Sequence, residues 1–212
     1  MLHTQTVERE TIELLKSLMA EPLLANFALA GGTALSLLLG HRKSIDLDLF
    51  GRFPYDIEQM RQLLTDKYDF RESYSARNTL SGTIQGIKVD CITHNYPVLD
   101  DEISEDGLRL YSLHDIAAMK LSAVRDNGTR LKDYVDIAYM STRLSLTEML
   151  DCYGQKYNFS NRTIALKALT YFNDINFQES INLTHGNFDW QRIQKRINSM
   201  VETPAKRYRT AP

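Results

Sequence analysis

Phe27-Ala28-Leu29-Ala30-Gly31-Gly32-Thr33-Ala34-Leu35-Ser36-Leu37-Leu38-Leu39-Gly40 and, three residues on, Ser44-Ile45-Asp46-Leu47-Asp48-Leu49-Phe50 carry the reading on which the rest of this 212-residue chain turns. Residues 27–30 form a short apolar strand. Gly31-Gly32 breaks it, residues 33–39 read as a buried helix, and Gly40 ends that helix. Residues 44–50 alternate, with Ile45, Leu47 and Leu49 on one face and Asp46, Asp48 and Phe50 on the other, which predicts a strand with one buried face. Asp46 and Asp48 therefore project from the same face. Two carboxylates held that close raise one another's pKa unless a cation lies between them. An all-oxygen set favours Mg²⁺ or Mn²⁺ over zinc. Upstream, Gly31 and Gly32 place bare backbone N–H groups at a helix N-terminus, where a phosphate can be cradled, with Thr33 as N-cap or phosphate contact.

Outward from this stretch, residues 5–20 read as a helix with Ile12, Leu15, Leu18 and Met19 at helical spacing. Residues 56–67 are predicted helical. Residues 68–93 are predicted to be an antiparallel meander with turns at Asn78 and at Gln85-Gly86. In its last strand, residues 87–92, Lys88 and Asp90 share one face and Ile87, Val89 and Cys91 the other. If that strand neighbours residues 44–50, Asp90 completes a three-carboxylate site. Such a site can hold two metals for in-line phosphoryl or nucleotidyl transfer. From about residue 112 the chain reads as mostly helical, with Ser112-x-x-Asp115 and Ser145-x-x-Glu148 as N-terminal caps. Strands in the first half and helices in the second predict an α+β fold: a mixed sheet with flanking helices and a mostly helical C-terminal part. The expected division is a catalytic domain over 1–140 and a helical extension over 141–212.

Two helical segments carry charge where a core is expected. Leu113, Ile116, Ala117, Leu121 and Val124 follow one stripe, and the position missing from it is Lys120. A lysine there snorkels to the edge or meets a buried anion, such as a triphosphate. In Arg130-Leu131-Lys132-Asp133-Tyr134-Val135-Asp136, the acids Asp133 and Asp136 lie one turn apart, and Lys132 with Asp136 has the spacing of a simple helical ion pair. Near the C-terminus, residues 190–197 read as a basic amphipathic helix that packs by its apolar face. Ala205-Lys206-Arg207-Tyr208-Arg209 is either a frayed tail or a contact for a phosphate backbone.

Composition sets the bounds. Hydrophobic residues make up 43% and charged residues 25% of the chain, which suits a globular protein with a full core. The formal net charge is −2, so no global basic field points to nucleic acid, although a local patch can still steer. Two cysteines, Cys91 and Cys152, form neither a disulfide framework nor a metal-type spacing. Reduced thiols and a cytoplasmic location are the expectation. The N-terminal MLHTQTVERETIELL lacks the pattern of a signal peptide, and the longest apolar stretch, residues 28–39, is too short and too glycine-interrupted to cross a bilayer.

The run Gly31-Gly32-Thr33-Ala34-Leu35, followed by Gly40-His41-Arg42-Lys43-Ser44-Ile45-Asp46-Leu47-Asp48-Leu49-Phe50, resembles the first signature of the DNA polymerase β-like nucleotidyltransferases. More narrowly it resembles the AbiEii/AbiGii toxin family. The likeness is close over residues 27–50 and looser through Asp90 and residues 112–140; residues 141–212 match nothing familiar. It implies a polymerase-β-like nucleotidyltransferase fold in which Gly31, Gly32, Thr33 and Ser44 hold the triphosphate of an NTP. Asp46, Asp48 and Asp90 would bind Mg²⁺ or Mn²⁺. His41 and Arg42 fall within the motif, and Arg42 is carried as a nucleotide contact. The family also places a functional lysine on a helix after the third carboxylate, matched by Lys120, and a Lys-Asp-x-x-Asp pattern matched by Asp133 and Asp136. Asp136 in that pattern either closes the active site or orients Lys120 or an arginine. The resemblance further implies transfer of a nucleoside monophosphate to RNA, specifically a tRNA 3′ end, toxicity, and a cognate antitoxin as partner.

Two other readings compete. An aminoglycoside-type enzyme acting on a small molecule would need an acidic pocket, for which Asp100-Asp101-Glu102 and Glu105-Asp106 are candidates. A non-catalytic nucleotide- or partner-binding module would have no need to hold three like charges together.

Overall fold

A computed structural model of the chain describes residues 1–158 and 161–212. The chain forms two compact units, one of residues 1–40, 44–96 and 101–111, the other of residues 41–43, 97–100 and 112–212. The packing division thus falls near residue 111, whereas the sequence suggested 140. The helices after residue 112 bury their apolar faces against later helices and so belong with them.

The first unit contains α1 (Arg9–Met19), β1 (Phe27–Leu29), α2 (Gly31–Leu39), β2 (Leu47–Gly51), α3 (Ile57–Tyr68), β3 (Arg71–Ala76), β4 (Thr79–Ile84), β5 (Ile87–Thr93), β6 (Ile103–Glu105) and β7 (Leu108–Leu110). The strands make one mixed sheet in the order β3-β4-β5-β2-β1-β7-β6. The β2–β5 and β1–β7 pairs are parallel, and the others are antiparallel. Helix α1 buries Thr11, Leu14, Leu15 and Leu18, one stripe at helical spacing. Helix α2 buries Thr33, Ala34, Leu35, Ser36 and Leu37, and Gly40 closes it in the left-handed region at φ 69°. Both turns of the meander lie where the sequence put them, with positive φ at Asn78 and at Gln85-Gly86.

Two expectations differ from the structure. Strand β2 begins at Leu47, and Ile45, expected on the core face, is 55% exposed. Residues 44–46 are held by other partners: the Ser44 amide donates to the Thr6 carbonyl, and the Thr33 hydroxyl donates to the Asp46 carbonyl. The β6–β7 hairpin lies within the stretch whose acids are candidates for an acidic pocket, where the sequence reading expects no strand. Its two-residue turn, Asp106-Gly107, has φ 52° and 80°, the backbone of a primed hairpin turn.

The second unit contains α4 (Leu113–Asp126), α5 (Leu131–Met140), α6 (Leu146–Lys156), α7 (Arg162–Leu169) and α8 (Trp190–Glu202). Helix α4 packs on α5, α6 and α7, and α8 packs on α5. The predicted caps are present: Ser112 accepts from the Asp115 amide at 3.0 Å, and Ser145 with Glu148 forms a capping box. The C-terminal segment is docked. The Tyr208 amide donates to the Ser141 carbonyl at 2.9 Å, and Arg207 pairs with Glu148. Among the described residues no helix is long and apolar enough to cross a membrane.

One buried ion pair pins residues 97–100 into this unit. Lys156 Nζ lies 2.7 Å from Asp115 Oδ1 and donates to the Pro97 carbonyl at 2.8 Å, and Asp115 also accepts from the Leu99 amide at 3.1 Å. Both side chains are fully buried. Lys156→Met leaves a buried carboxylate without its cation, so it should cost about 3–5 kcal/mol in urea unfolding; a loss below about 1 kcal/mol would show the pair to be dispensable.

Candidate active site

The acidic face is built by strand register. Strands β2 and β5 run parallel with Asp48 opposite Asp90, and Leu47 and Leu49 opposite Val89 and Cys91. The alternation that buries those four apolar side chains puts both aspartates on the other face. Asp90 is 8% exposed and its Oδ1 is buried with no hydrogen-bond partner, while its Oδ2 accepts from Lys88 Nζ at 2.7 Å. Burial pulls the Lys88 ammonium down, but the hydrogen bond to Asp90 and the charges of Asp90, Asp48 and Asp46 outweigh it and raise its pKa. Sequence reasoning placed Lys88 on the acidic face without giving it a role. Here it supplies the positive charge that lets the carboxylates stand together. Among the described residues, no three His, Cys, Asp or Glu side chains are already gathered as a metal cage.

The glycine turn meets this face directly. Gly31 sits at φ 65°, and a Cβ there would lie 1.9 Å from Asp48 Oδ2. Only glycine admits both the backbone angle and the carboxylate. The glycines open α2 itself, so the N-cap is Ala30 and the predicted cap Thr33 lies a turn further in. Ala30 has no side-chain oxygen to cap this end, and the Asp48 carboxylate packs against it at Gly31. The first N–H groups of α2 have no intrahelical acceptor, and the helix dipole makes this end favourable for negative charge. Thr33 is 1% exposed and its single proton goes to the Asp46 carbonyl, so in the 2.8 Å contact with Ser44 it is Ser44 that donates. Both hydroxyls hold the Asp46 segment to α2.

In the second unit the structure gathers Arg42, Lys120, Asp133 and Asp136, which the sequence singled out, together with His41. Asp136 is fully buried. Its Oδ1 accepts from His41 Nε2 at 2.8 Å and Arg42 Nε at 2.7 Å, and its Oδ2 accepts from Arg42 Nη2 at 2.9 Å. Lys120 Nζ lies 2.6 Å from Asp136 Oδ2 and 2.6 Å from Asp133 Oδ1. Of the two outcomes its place on the apolar stripe allowed, snorkelling or meeting a buried anion, Lys120 takes the second, and the anions are the protein's own, not a triphosphate. Burial would raise the Asp136 pKa, but the charges of Arg42 and Lys120 and the hydrogen bonds from His41 and Arg42 hold it well below the usual carboxylate range. Burial pushes the His41 pKa down despite Asp136, so the neutral ring donates from Nε2. The segment is further pinned where Lys43 N donates to the Asn182 carbonyl and Thr184 N to the His41 carbonyl.

Three of the acids offered for a cationic acceptor are already engaged. Glu102 accepts from Arg52 at 2.7 Å, Glu105 pairs with the N-terminal ammonium at 3.2 Å, and Asp100 pairs with His114.

The model of the nucleotidyl transferase AbiEii toxins of type IV toxin–antitoxin systems matches residues 13–211. The chain belongs to this family. Family membership makes the chain a nucleotidyltransferase, and it extends the likeness through residues 141–211, which had matched nothing familiar. An uncharacterized protein of Aquifex aeolicus (strain VF5), aq_aa25, is 29% identical over 174 residues, covering 79% of this chain and 84% of that one. Two Helicobacter pylori crystal structures share the fold. One, put forward as a nucleotidyltransferase, has a TM-score of 0.57 at 17% identity and covers 96% of this chain and 93% of its own. The other, JHP933, has a TM-score of 0.54 at 15% identity and covers 94% and 93%. The α+β nucleotidyltransferase fold is thus the one the sequence implied.

Gly31→Ala should move Asp48 or unwind the start of α2, costing about 1–2 kcal/mol for the backbone alone and abolishing nucleotidyl transfer; full activity in a radiolabel transfer assay would rule out the close approach as a requirement. Acidification should destabilise the second unit in two stages. Folded His41 and Asp136 both resist protonation, so stability is lost as pH falls below about 6.5 and again below about 3.9, the ordinary values of the unfolded chain. In Asp136→Asn, unfolding followed against pH should show the second stage diminished, on a base stability lower by about 3–5 kcal/mol. An unchanged acid limb would contradict this assignment.

Proposed function

We propose that this AbiEii chain transfers a nucleoside monophosphate from an NTP to the 3′ end of a tRNA, releasing pyrophosphate, and acts in the cytoplasm as a toxin restrained by a cognate antitoxin. The observation that carries the reading is the in-register pair Asp48–Asp90 with the backbone of Gly31 pressed against the Asp48 carboxylate. That arrangement puts helix N–H donors for a triphosphate beside oxygens for a divalent cation.

Asp46, Asp48 and Asp90 are the residues that would hold Mg²⁺ or Mn²⁺, and the unpartnered buried oxygen of Asp90 fits a hard cation. When bound, such ions neutralise developing phosphate charge and lower the pKa of an attacking hydroxyl. The chain's own groups do the positioning. The N–H groups at the start of α2, Gly31 and Gly32, bind triphosphate oxygens, Thr33 and Ser44 hold the Asp46 segment in place, and Lys88 balances the acidic face. Arg42, Lys120, Asp133 and Asp136 are best read as positioning residues, because each is committed to an ion pair within the second unit. An RNA acceptor is preferred over a cationic small molecule because three of the five acids that could form an acidic pocket, Asp100, Glu102 and Glu105, are held in ion pairs.

Purified protein incubated with each α-³²P-labelled NTP, Mg²⁺ and total bacterial RNA should yield a labelled tRNA-sized band. The band should be at least about a hundredfold weaker in Asp48→Ala, in line with removal of one preorganised catalytic group. Label on protein or small molecules alone would overturn the acceptor.

A further inference from the structure

Helix α8 and the docked C-terminal segment flank a shallow, open cavity of about 220 Å³ lined by Arg192, Lys195, Arg196, Ser199, Tyr208 and Pro212. The residues Arg192, Lys195, Arg196 and Ser199 recur at helical spacing on one face of α8, while Ile193, Ile197 and Met200 are buried on the other. The cavity is therefore basic along one wall in a chain whose net charge is −2.

Arg196 is the unusual member. Its guanidinium is partly buried, donating from Nη1 to Ser141 Oγ at 2.9 Å and from Nη2 to the Thr210 carbonyl at 2.9 Å. It lies 4.2 Å from the centroid of the Tyr208 ring. Among the described residues it has no carboxylate partner. Arg192 pairs with Asp189 at 3.6 Å, but a half-buried cation held only by neutral groups, with Lys195 beside it, is an electrostatic cost that an anion at the cavity would relieve. Burial lowers the Arg196 pKa, which agrees. Lys195 is exposed without an ion pair among the described residues, and Lys206 lies over Tyr208 at 4.9 Å. Tyr208 thus acts as the plate that fixes these cations. Rigid guanidinium geometry with flanking ammonium groups is the chemistry that recognises phosphodiester oxygens.

We infer that the α8–Tyr208 cavity is a binding site for the phosphate backbone of the RNA acceptor. The inference rests on the RNA reading above and adds a place on the chain for that RNA. The test is Arg192→Gln/Lys195→Gln, two exposed helix positions whose loss should leave the thermal midpoint unchanged. Binding of fluorescently labelled bacterial tRNA is measured against salt for the wild type and the double variant. The expected result is about tenfold weaker binding at low salt and a slope of log affinity against log salt shallower by about two, roughly one per lost phosphate contact. If the wild type labels and binds tRNA and the variant keeps its affinity and slope, the cavity assignment is wrong while the acceptor reading stands. If the wild type binds no tRNA, both fall. If it instead binds an acidic polypeptide with the same dependence on Arg192 and Lys195, the cavity belongs to a protein partner and the RNA assignment is overturned.

Discussion

The backbone of Gly31 lies so close to the Asp48 carboxylate that no side chain fits between them, and the acidic face is organised around that contact. It requires β1 to end and α2 to begin at one residue, in a backbone region open to glycine. It requires β2 to run beside β1 with Asp48 level with the helix start, which the hydrogen bond from Ala30 N to the Asp48 carbonyl enforces at 2.8 Å. The parallel register of β2 with β5 then places Asp90 beside Asp48. The Thr33 hydroxyl fixes the preceding segment, and with it Asp46. The glycine turn between β1 and α2 and the carboxylates of β2 and β5 thus meet at one end of the sheet.

Charge is handled in opposite ways in the two units. On the sheet, Asp48 and Asp90 stand in register with Lys88 donating to Asp90, and among the described residues Asp90 Oδ1 has no hydrogen-bond partner. This is the state of a site that gains by accepting a cation. In the helical unit, Asp136 and Asp133 face Arg42 and Lys120 with each charge answered, and the neutral His41 donates to Asp136. Such a buried network is strongly destabilised by loss of any one member. The first arrangement is suited to binding and the second to holding shape, although the sequence marks both in the same way, with charged residues on otherwise apolar elements.

Much of this was legible in the sequence because it rests on local rules. The strict alternation of residues 47–50 and 87–91 gave the faces of Asp48 and Asp90, and the capping pattern at Ser145 and Glu148 gave the start of α6. Gly40, Asn78 and Gln85-Gly86 punctuated the chain where the backbone turns. What escaped was decided by tertiary partners. Ile45 has the pattern of a core residue, but hydrogen bonds from Thr33 and Ser44 take its neighbours out of the ladder. Thr33 resembles a cap, yet its proton is taken by a carbonyl thirteen residues away in sequence. The Asp106-Gly107 hairpin was signalled by its dipeptide and was masked by the acidic residues around it. Lys120 announced a buried anion, and periodicity had no means of naming Asp133 and Asp136 as that anion. The C-terminal segment looked like a tail because its partners, Ser141 and Glu148, lie far back in the chain.

The central claim is that Asp48 and Asp90 form one cation site beside the start of α2. Manganese electron paramagnetic resonance, titrating Mn²⁺ into the protein with a non-hydrolysable NTP analogue, tests it most directly. The account predicts a saturable bound-Mn²⁺ signal in the wild type that is lost in Asp90→Asn, with the fold retained by circular dichroism. Equal Mn²⁺ binding by Asp90→Asn would contradict it.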